Sequence, residues 1–172
     1  MKIVTLAATN HRNSINQLLV RQVASHLEGE SQTDLDLTDY PLPIYSQDLE
    51  EEIGIPEPAH QLLEQLRAAD LLLIAFAEHN GSYTAVYKNA FDWMSRIEQK
   101  VYDGIRVATL AASPGPGGAS SVLAQANQSM PFFGAELVFT RSVASFNEHL
   151  SNGRLDDTLT STIASDLTET LK

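Results

Sequence analysis

Cysteine is absent from the chain, which removes disulfide staples, thiolate nucleophiles and cysteine-bound metals. Any redox chemistry must then come from a bound cofactor. Cationic side chains are scarce: 11 Lys and Arg stand against 22 Asp and Glu, a net charge of -11. Binding a nucleic-acid backbone rests on clustered Lys and Arg, so nucleic acid is not an expected partner. Long apolar runs are missing too. No window approaches the roughly 20 residues that a membrane span needs. The start, MKIVTLAATN, turns polar at Thr9 and suits a buried strand better than a signal peptide, which points to the cytoplasm.

What is present is ordinary for a globular protein: 172 residues with 43% hydrophobic and 19% charged side chains, enough for one domain spanning 1–172. Apolar runs at Lys2 to Ala8, Leu71 to Phe76 and Val107 to Ala112 fit strands buried on both faces. Thr33 to Leu37 alternates, with Leu35 and Leu37 on one side and Asp34 and Asp36 on the other, as in a half-covered edge strand; Glu136 to Phe139 completes the set. Between these lie helical stripes. The first starts at or just after Ser14, where Gln17 three residues on completes a capping-box signature. Others run through Leu62, Leu63 and Leu66, through Val86, Ala90, Trp93, Met94 and Ile97, and through Val122, Leu123, Ala126 and Met130. A closing helix follows the Asn152-Gly153 turn signal, with Leu155, Leu159, Ile163, Leu167 and Leu171 four apart. The connection from Thr38 to Pro58, with four prolines, is too long for a simple turn and is expected to form a functional rim loop.

Five strands alternating with five helices imply right-handed crossovers and a doubly wound parallel sheet with helices on both faces. In such sheets ligands bind outside the carboxyl ends of the strands, which for the order 2-1-3-4-5 lies between strands 1 and 3. The loops after Ala8, Phe76 and Ala112 therefore carry the candidate site.

The first loop offers Thr9, His11, Arg12, Ser14, Ile15 and Asn16, with the free backbone N–H groups of a helix N-terminus, and together these suit an anion such as a phosphate. The same residues also suit a hydrophilic turn with a serine cap. With no glycine, the loop is neither a Walker loop nor a GxGxxG fingerprint, which disfavours ATP and Rossmann-type dinucleotides. The second loop holds Glu78, His79, Asn80 and Gly81, a turn whose backbone can approach a flat ligand closely. Lys88, Asp92 and Arg96, four apart, suit a salt-bridged solvent face, and Trp93 suits the core. The third loop holds Ser113, Gly115, Gly117 and Gly118, where the main chain can pass against a ligand and the amides opening the next helix can face negative charge; a plain flexible turn is the alternative.

Four patches of this sequence resemble the NADPH-dependent FMN reductase family, which includes chromate, quinone and azo-dye reductases. Ala8 to Asn16 is similar to that family's G-S-x-R-x-x-S-x-N loop, and Leu42-Pro43-Ile44-Tyr45 with Asp48 to its LPLYDEDL segment. Glu78, Asn80, Gly81, Ser82, Lys88, Asn89, Ala90, Asp92, Trp93, Ser95 and Arg96 match its P-E-Y-N-G-S-x-P-x-x-L-K-N-A-x-D-W-x-S-R stretch, and Ser113-Pro114-Gly115 with Gly117-Gly118 form the fourth patch. Departures from the family pattern are Ala8 for Gly, His11 for Arg, Ala77 for Pro, His79 for Tyr and Thr84 for Pro. The resemblance implies a flavodoxin-like fold. It also implies FMN, with Thr9, Ser14 and Asn16 on the phosphate, Glu78 to Gly81 along the isoalloxazine, and Ser113, Gly115 and Gly117 over its pyrimidine side. The implied activity takes hydride from NADPH or NADH onto FMN and reduces a small-molecule acceptor such as a quinone, flavin or azo compound. No catalytic acid or base and no metal is expected. The implied assembly is a homodimer or homotetramer with Pro41 to Pro58 near its interface. A flavodoxin-type electron carrier, which the acidity favours, and a flavin-binding or regulatory module without turnover are the competing readings.

Overall fold

The computed structural model describes residues 1–29 and 31–172, and in it the apolar runs pair into one sheet. Its strands are β1 (Lys2–Ala8), β2 (Ser31–Leu35), β3 (Leu71–Phe76), β4 (Arg106–Ala112) and β5 (Glu136–Val143), all parallel and ordered β2-β1-β3-β4-β5. The helices are α1 (Ile15–Ser25), α2 (Gln47–Ile53), α3 (Glu57–Arg67), α4 (Ala85–Ile97), α5 (Ser120–Ser129) and α6 (Asp157–Thr170). This is the flavodoxin-like doubly wound arrangement expected from the sequence.

The period of two along each strand decides which helices it meets. In β3, Leu72, Ile74 and Phe76 join a core with Leu62 and Leu66 of α3, Tyr87 and Met94 of α4, and Val122 and Ala126 of α5. Leu71, Leu73 and Ala75 face the other way, onto Leu19 and Val23 of α1 and Ile163 and Leu167 of α6. Burial on both faces is why β1, β3 and β4 are continuous apolar runs. Among the described residues, no helix is long and apolar enough to cross a membrane.

Several local expectations are corrected. The edge strand runs Ser31–Leu35 rather than Thr33 to Leu37, because its register is set by pairing Lys2 to Leu6 with Ser31 to Leu35. Leu37 is still buried, but in a 3-10 turn (Leu37–Asp39) that Asp36 caps by accepting from Thr38 N at 2.8 Å. The segment from Thr38 to Pro58 contains the seven-residue α2, so the α-helices among the described residues number six rather than five. β5 continues past Phe139 to Val143. Asn152 and Gly153, at φ +52° and +75°, turn a two-residue hairpin of β6 (Leu150–Ser151) and β7 (Arg154–Leu155), and the closing helix starts later, at Asp157. Ser14 does cap α1, accepting from Asn16 N at 3.1 Å, but the capping box is incomplete: the Gln17 amide turns to Arg12 O and the Arg21 guanidinium.

Candidate functional site

β1, β3 and β4 are neighbours, so the loops leaving their carboxyl ends converge on one edge of the sheet. The first loop turns at once after β1. Thr9 N donates to Ala7 O at 2.8 Å, and the Thr9 hydroxyl accepts from His11 N at 3.2 Å. Ser14 N donates to His11 O at 3.0 Å. These bonds leave the N–H groups of Arg12, Asn13 and Ile15 without an acceptor in hydrogen-bond reach among the described residues. All three sit at the N-terminus of α1, where aligned peptide dipoles favour an anion. The Thr9 and Ser14 hydroxyls each accept one amide and keep their own proton to give.

The two cations of this loop are placed differently. His11 is exposed, and its side chain makes no hydrogen bond or ion pair among the described residues. Arg12 reaches toward the edge strand, where Nε donates to Thr38 Oγ1 at 3.0 Å and Nη2 to Asp39 Oδ1 at 3.4 Å, with Asp36 at 3.9 Å. Partial burial works against ionisation of Asp36. The Thr38 hydroxyl and amide, with Arg12 and Arg21 nearby, outweigh that and hold its carboxyl below the ordinary value.

In the second loop Asn80 and Gly81, at φ +53° and +76°, form the two-residue turn that Asn-Gly favours, closed by His79 N to Ser82 O at 3.0 Å and Ser82 N to His79 O at 3.2 Å. Glu78 reaches across to α5, its Oε2 accepting from Val122 N at 2.9 Å. Thr84, which stands where the family pattern has proline, is buried. Its hydroxyl donates to Ala8 O at 2.8 Å and accepts from Tyr87 N at 3.3 Å, tying the end of β1 to the start of α4. The sequence reading missed that tie, although a threonine just before a helical stripe is an N-cap signal.

The third loop is pinned to the end of β5. Ser113 N donates to Val143 O at 3.2 Å, Phe146 N to Ser113 O at 3.0 Å and Ser145 N to Gly115 O at 2.9 Å. A Cβ at Gly115 or Gly117 would meet nothing within 4 Å, so both present bare main chain beside open space. Gly118 differs: at φ +59° it packs against Ser142, whose hydroxyl donates to Gly118 O at 2.7 Å, and a Cβ there would overlap that hydroxyl. Asn16 is likewise buried inside the protein, with both ends of its amide engaged by Ala112. Of the other expected residues, Thr9, His11, Arg12, Ser14, Glu78, His79, Asn80, Gly81, Ser113, Gly115 and Gly117 lie on the three converging loops, as Gly118 does, and Ile15 is the first residue of α1. A phosphate ester carrying a flat ring fits this donor set: free amides and hydroxyls at one end, uncovered glycines at the other.

The rim is held by α4. Asn89 Nδ2 donates to Pro43 O at 2.9 Å while its Oδ1 accepts from Tyr45 N at 2.8 Å, and Trp93 Nε1 donates to Pro43 O at 2.8 Å. The Tyr45 ring meets Trp93 edge-on, centroids 5.1 Å apart, and Tyr45 Oη donates to Glu50 at 2.9 Å. Arg96 donates to both Glu50 oxygens at 3.1 and 3.0 Å. The expected salt-bridged face is thereby corrected. Lys88 pairs with Asp92 at 2.6 Å, but Arg96 serves the rim. The second and third patches of the resemblance are thus one packed unit.

Fold and loops together define a class, a flavodoxin-like α/β domain with free amides at the carboxyl edge of its sheet. Within that class the chain belongs to the NADPH-dependent FMN reductase family, whose sequence model matches residues 1–149. It is 37% identical over 91 residues to an NAD(P)H-dependent FMN reductase of Pseudomonas aeruginosa, covering 53% of this chain and 49% of the relative. It is also 37% identical over 117 residues to a 2-hydroxy-1,4-benzoquinone reductase of a Burkholderia species, covering 67% and 62% respectively. These matches span about half to three fifths of the relatives' own length. A solved flavoenzyme NAD(P)H:(acceptor) oxidoreductase from Paracoccus denitrificans superposes with TM-score 0.76 at 23% identity, over 99% of this chain and 94% of the other, which establishes the shared fold.

Proposed function

We propose that residues 1–172 act as one domain that seats FMN at the carboxyl edge of the sheet and uses it to pass electrons from NADPH or NADH to a small-molecule acceptor such as a quinone, flavin or azo compound. The observation that carries this reading is the cluster of unpaired N–H groups at Arg12, Asn13 and Ile15 beside the bare glycines Gly115 and Gly117. In this reading the amides and the Thr9 and Ser14 hydroxyls hold the phosphate. The backbone of the turn from Glu78 to Gly81 and that of Ser113 to Gly117 flank the ring, while His79 and Asn80 stand exposed at the mouth. FMN, when bound, supplies the centre that takes hydride from the nicotinamide and returns two electrons to the acceptor. The chain supplies binding, orientation and charge, and no side chain has to move a proton. Family membership, together with relatives named FMN reductase and quinone reductase, supports the same assignment.

The reading includes a homodimer or homotetramer in the cytoplasm, with the rim at the interface. Its support is the exposure of Ile44 (86%) and Ile53 (52%) on a segment that α4 holds rigidly by Asn89, Trp93 and Arg96. Sedimentation at micromolar concentration is expected to show a species at a multiple of 18.8 kDa, and a monomer alone overturns that part. For the activity, FMN is titrated and its fluorescence followed, then the complex is mixed anaerobically with NADPH or NADH and finally with a quinone. Saturable quenching, bleaching of the flavin band and its return are expected. Absence of quenching removes the flavin site, and a bound flavin that neither donor bleaches makes the protein an electron carrier.

A further inference from the structure

Helix α5 starts without a cap of its own. Ala119, the residue before it, has left-handed backbone at φ +56° and no side-chain acceptor, whereas α1, α4 and α6 carry Ser14, Thr84 and Asp156. The missing acceptor arrives from another loop, as Glu78 Oε2 accepts from Val122 N at 2.9 Å. Two further contacts continue the line: Ser82 Oγ donates to Gln125 Oε1 at 2.9 Å, and the Tyr83 and Ser129 hydroxyls pair at 3.0 Å. Val122, Gln125 and Ser129 are spaced three and four apart, so the segment from Glu78 to Tyr83 lies along one face of α5.

We infer that Glu78 is a positioning residue: it caps α5 from the neighbouring loop, fixes the spacing of the two loops that flank the ring, and sets a carboxylate on the helix end that would otherwise favour negative charge there. The redox half of this inference rests on the FMN reading above. Two-electron reduction adds negative charge to bound FMN. A carboxylate at the same edge opposes that gain, so the protein holds reduced FMN less tightly, relative to oxidised FMN, than the bare helix end would.

Glu78→Gln keeps a carbonyl oxygen for Val122 N and removes the charge; Glu78→Ala removes both. Amide hydrogen exchange at Val122 in the flavin-free protein is expected to quicken about tenfold or more in Glu78→Ala, as loss of a hydrogen bond to a charged group implies, and by distinctly less in Glu78→Gln, which keeps a neutral acceptor. FMN affinity should follow the same order, near the parent for Gln and about tenfold weaker for Ala. The potential of the bound flavin should rise in Glu78→Gln, a tenfold change in relative affinity corresponding to about 30 mV for a two-electron couple. Equal Val122 exchange in all three proteins overturns the cap, and an unchanged or lowered potential in Glu78→Gln overturns the charge effect. Should Glu78→Ala fail to fold, Glu78→Asp, one methylene shorter, replaces it in the exchange measurement with the same expected loss. A parent that binds no FMN refutes the FMN reading and the redox half with it, while Val122 exchange still judges the cap.

Discussion

Asn16 and Ala112 are joined by a reciprocal pair of hydrogen bonds, Asn16 Nδ2 to Ala112 O at 3.2 Å and Ala112 N to Asn16 Oδ1 at 2.8 Å. The first residue lies in the first turn of α1 and the second ends β4, so the pair fixes the distance between the loop after β1 and the glycine loop. Both residues are buried, and neither backbone group of Ala112 has water as a substitute. Asn16→Ala is expected to cost about 2–4 kcal/mol, since two buried polar groups lose their partners. Asn16→Asp should cost at least as much, because a carboxylate cannot donate to Ala112 O. Urea midpoints measure both; a loss below about 1 kcal/mol in each would deny the pair its structural role.

Trp93 and Asn89 predict how the rim comes loose. Trp93→Phe keeps an aromatic ring but deletes the bond to Pro43 O and leaves a small cavity where the fully buried indole was larger, for a global cost of about 1–3 kcal/mol. Combined with Asn89→Ala it should free the chain from Leu42 to Ile53, seen as rapid proteolysis there under conditions where the rest of the domain stays folded. Cleavage elsewhere, or none, would mean that the rim is held by other contacts.

The sheet was readable because β1, β3 and β4 are buried on both faces, and such strands have to be apolar throughout. β2 has one buried residue, Leu35, so its sequence hardly constrains where it starts; its pairing with β1 does. α2 is seven residues long and buries none of them, which leaves no stripe to detect. The convergence of the three candidate loops was legible from topology. What stayed hidden were links between residues far apart in sequence: Glu78 with Val122, Arg96 with Glu50, and Asn16 with Ala112. Residue type shows that Asn16 can make two bonds, but only the packed chain says whether a ligand or Ala112 receives them.

Asp36 predicts a pH dependence at the edge of the site. Its carboxyl is held below the ordinary value in the folded chain, so the stability it adds is fully present above about pH 4, where the unfolded carboxyl is already ionised. That contribution is lost as pH falls through the folded value. Asp36→Asn should therefore unfold more easily than the parent at pH 7 and converge with it at acid pH. Parallel stability curves across the range would show that the charge on Asp36 contributes nothing.

For the proposed FMN site, Arg12 and Ser14 separate two ways of holding the phosphate. A chain of charge -11 gains from every local cation, and Arg12 stands in the right loop. Its guanidinium, however, is already engaged by Thr38, Asp39 and Asp36, two of them anionic, and turning it to a ligand would break those contacts. His11, where the family pattern has arginine, is exposed, with no side-chain hydrogen bond or ion pair among the described residues. The donors left unengaged among the described residues are the amides of Arg12, Asn13 and Ile15 and the hydroxyl protons of Thr9 and Ser14. Ser14→Ala deletes a hydroxyl and the cap of α1 together. It should weaken FMN about tenfold, with about 1 kcal/mol lost in stability from the missing cap. Arg12→Ala and His11→Gln should each weaken FMN by less than about threefold, the size of an exposed and screened charge. The sign of the salt effect follows: with backbone and hydroxyl donors in charge, the dissociation constant should change little between low and moderate ionic strength in the parent. Dissociation constants for the four proteins at two salt concentrations test the assignment. A loss in Arg12→Ala larger than that in Ser14→Ala, together with a steep salt dependence that this variant abolishes, would show that the arginine leaves Asp36 and Asp39 to bind the phosphate.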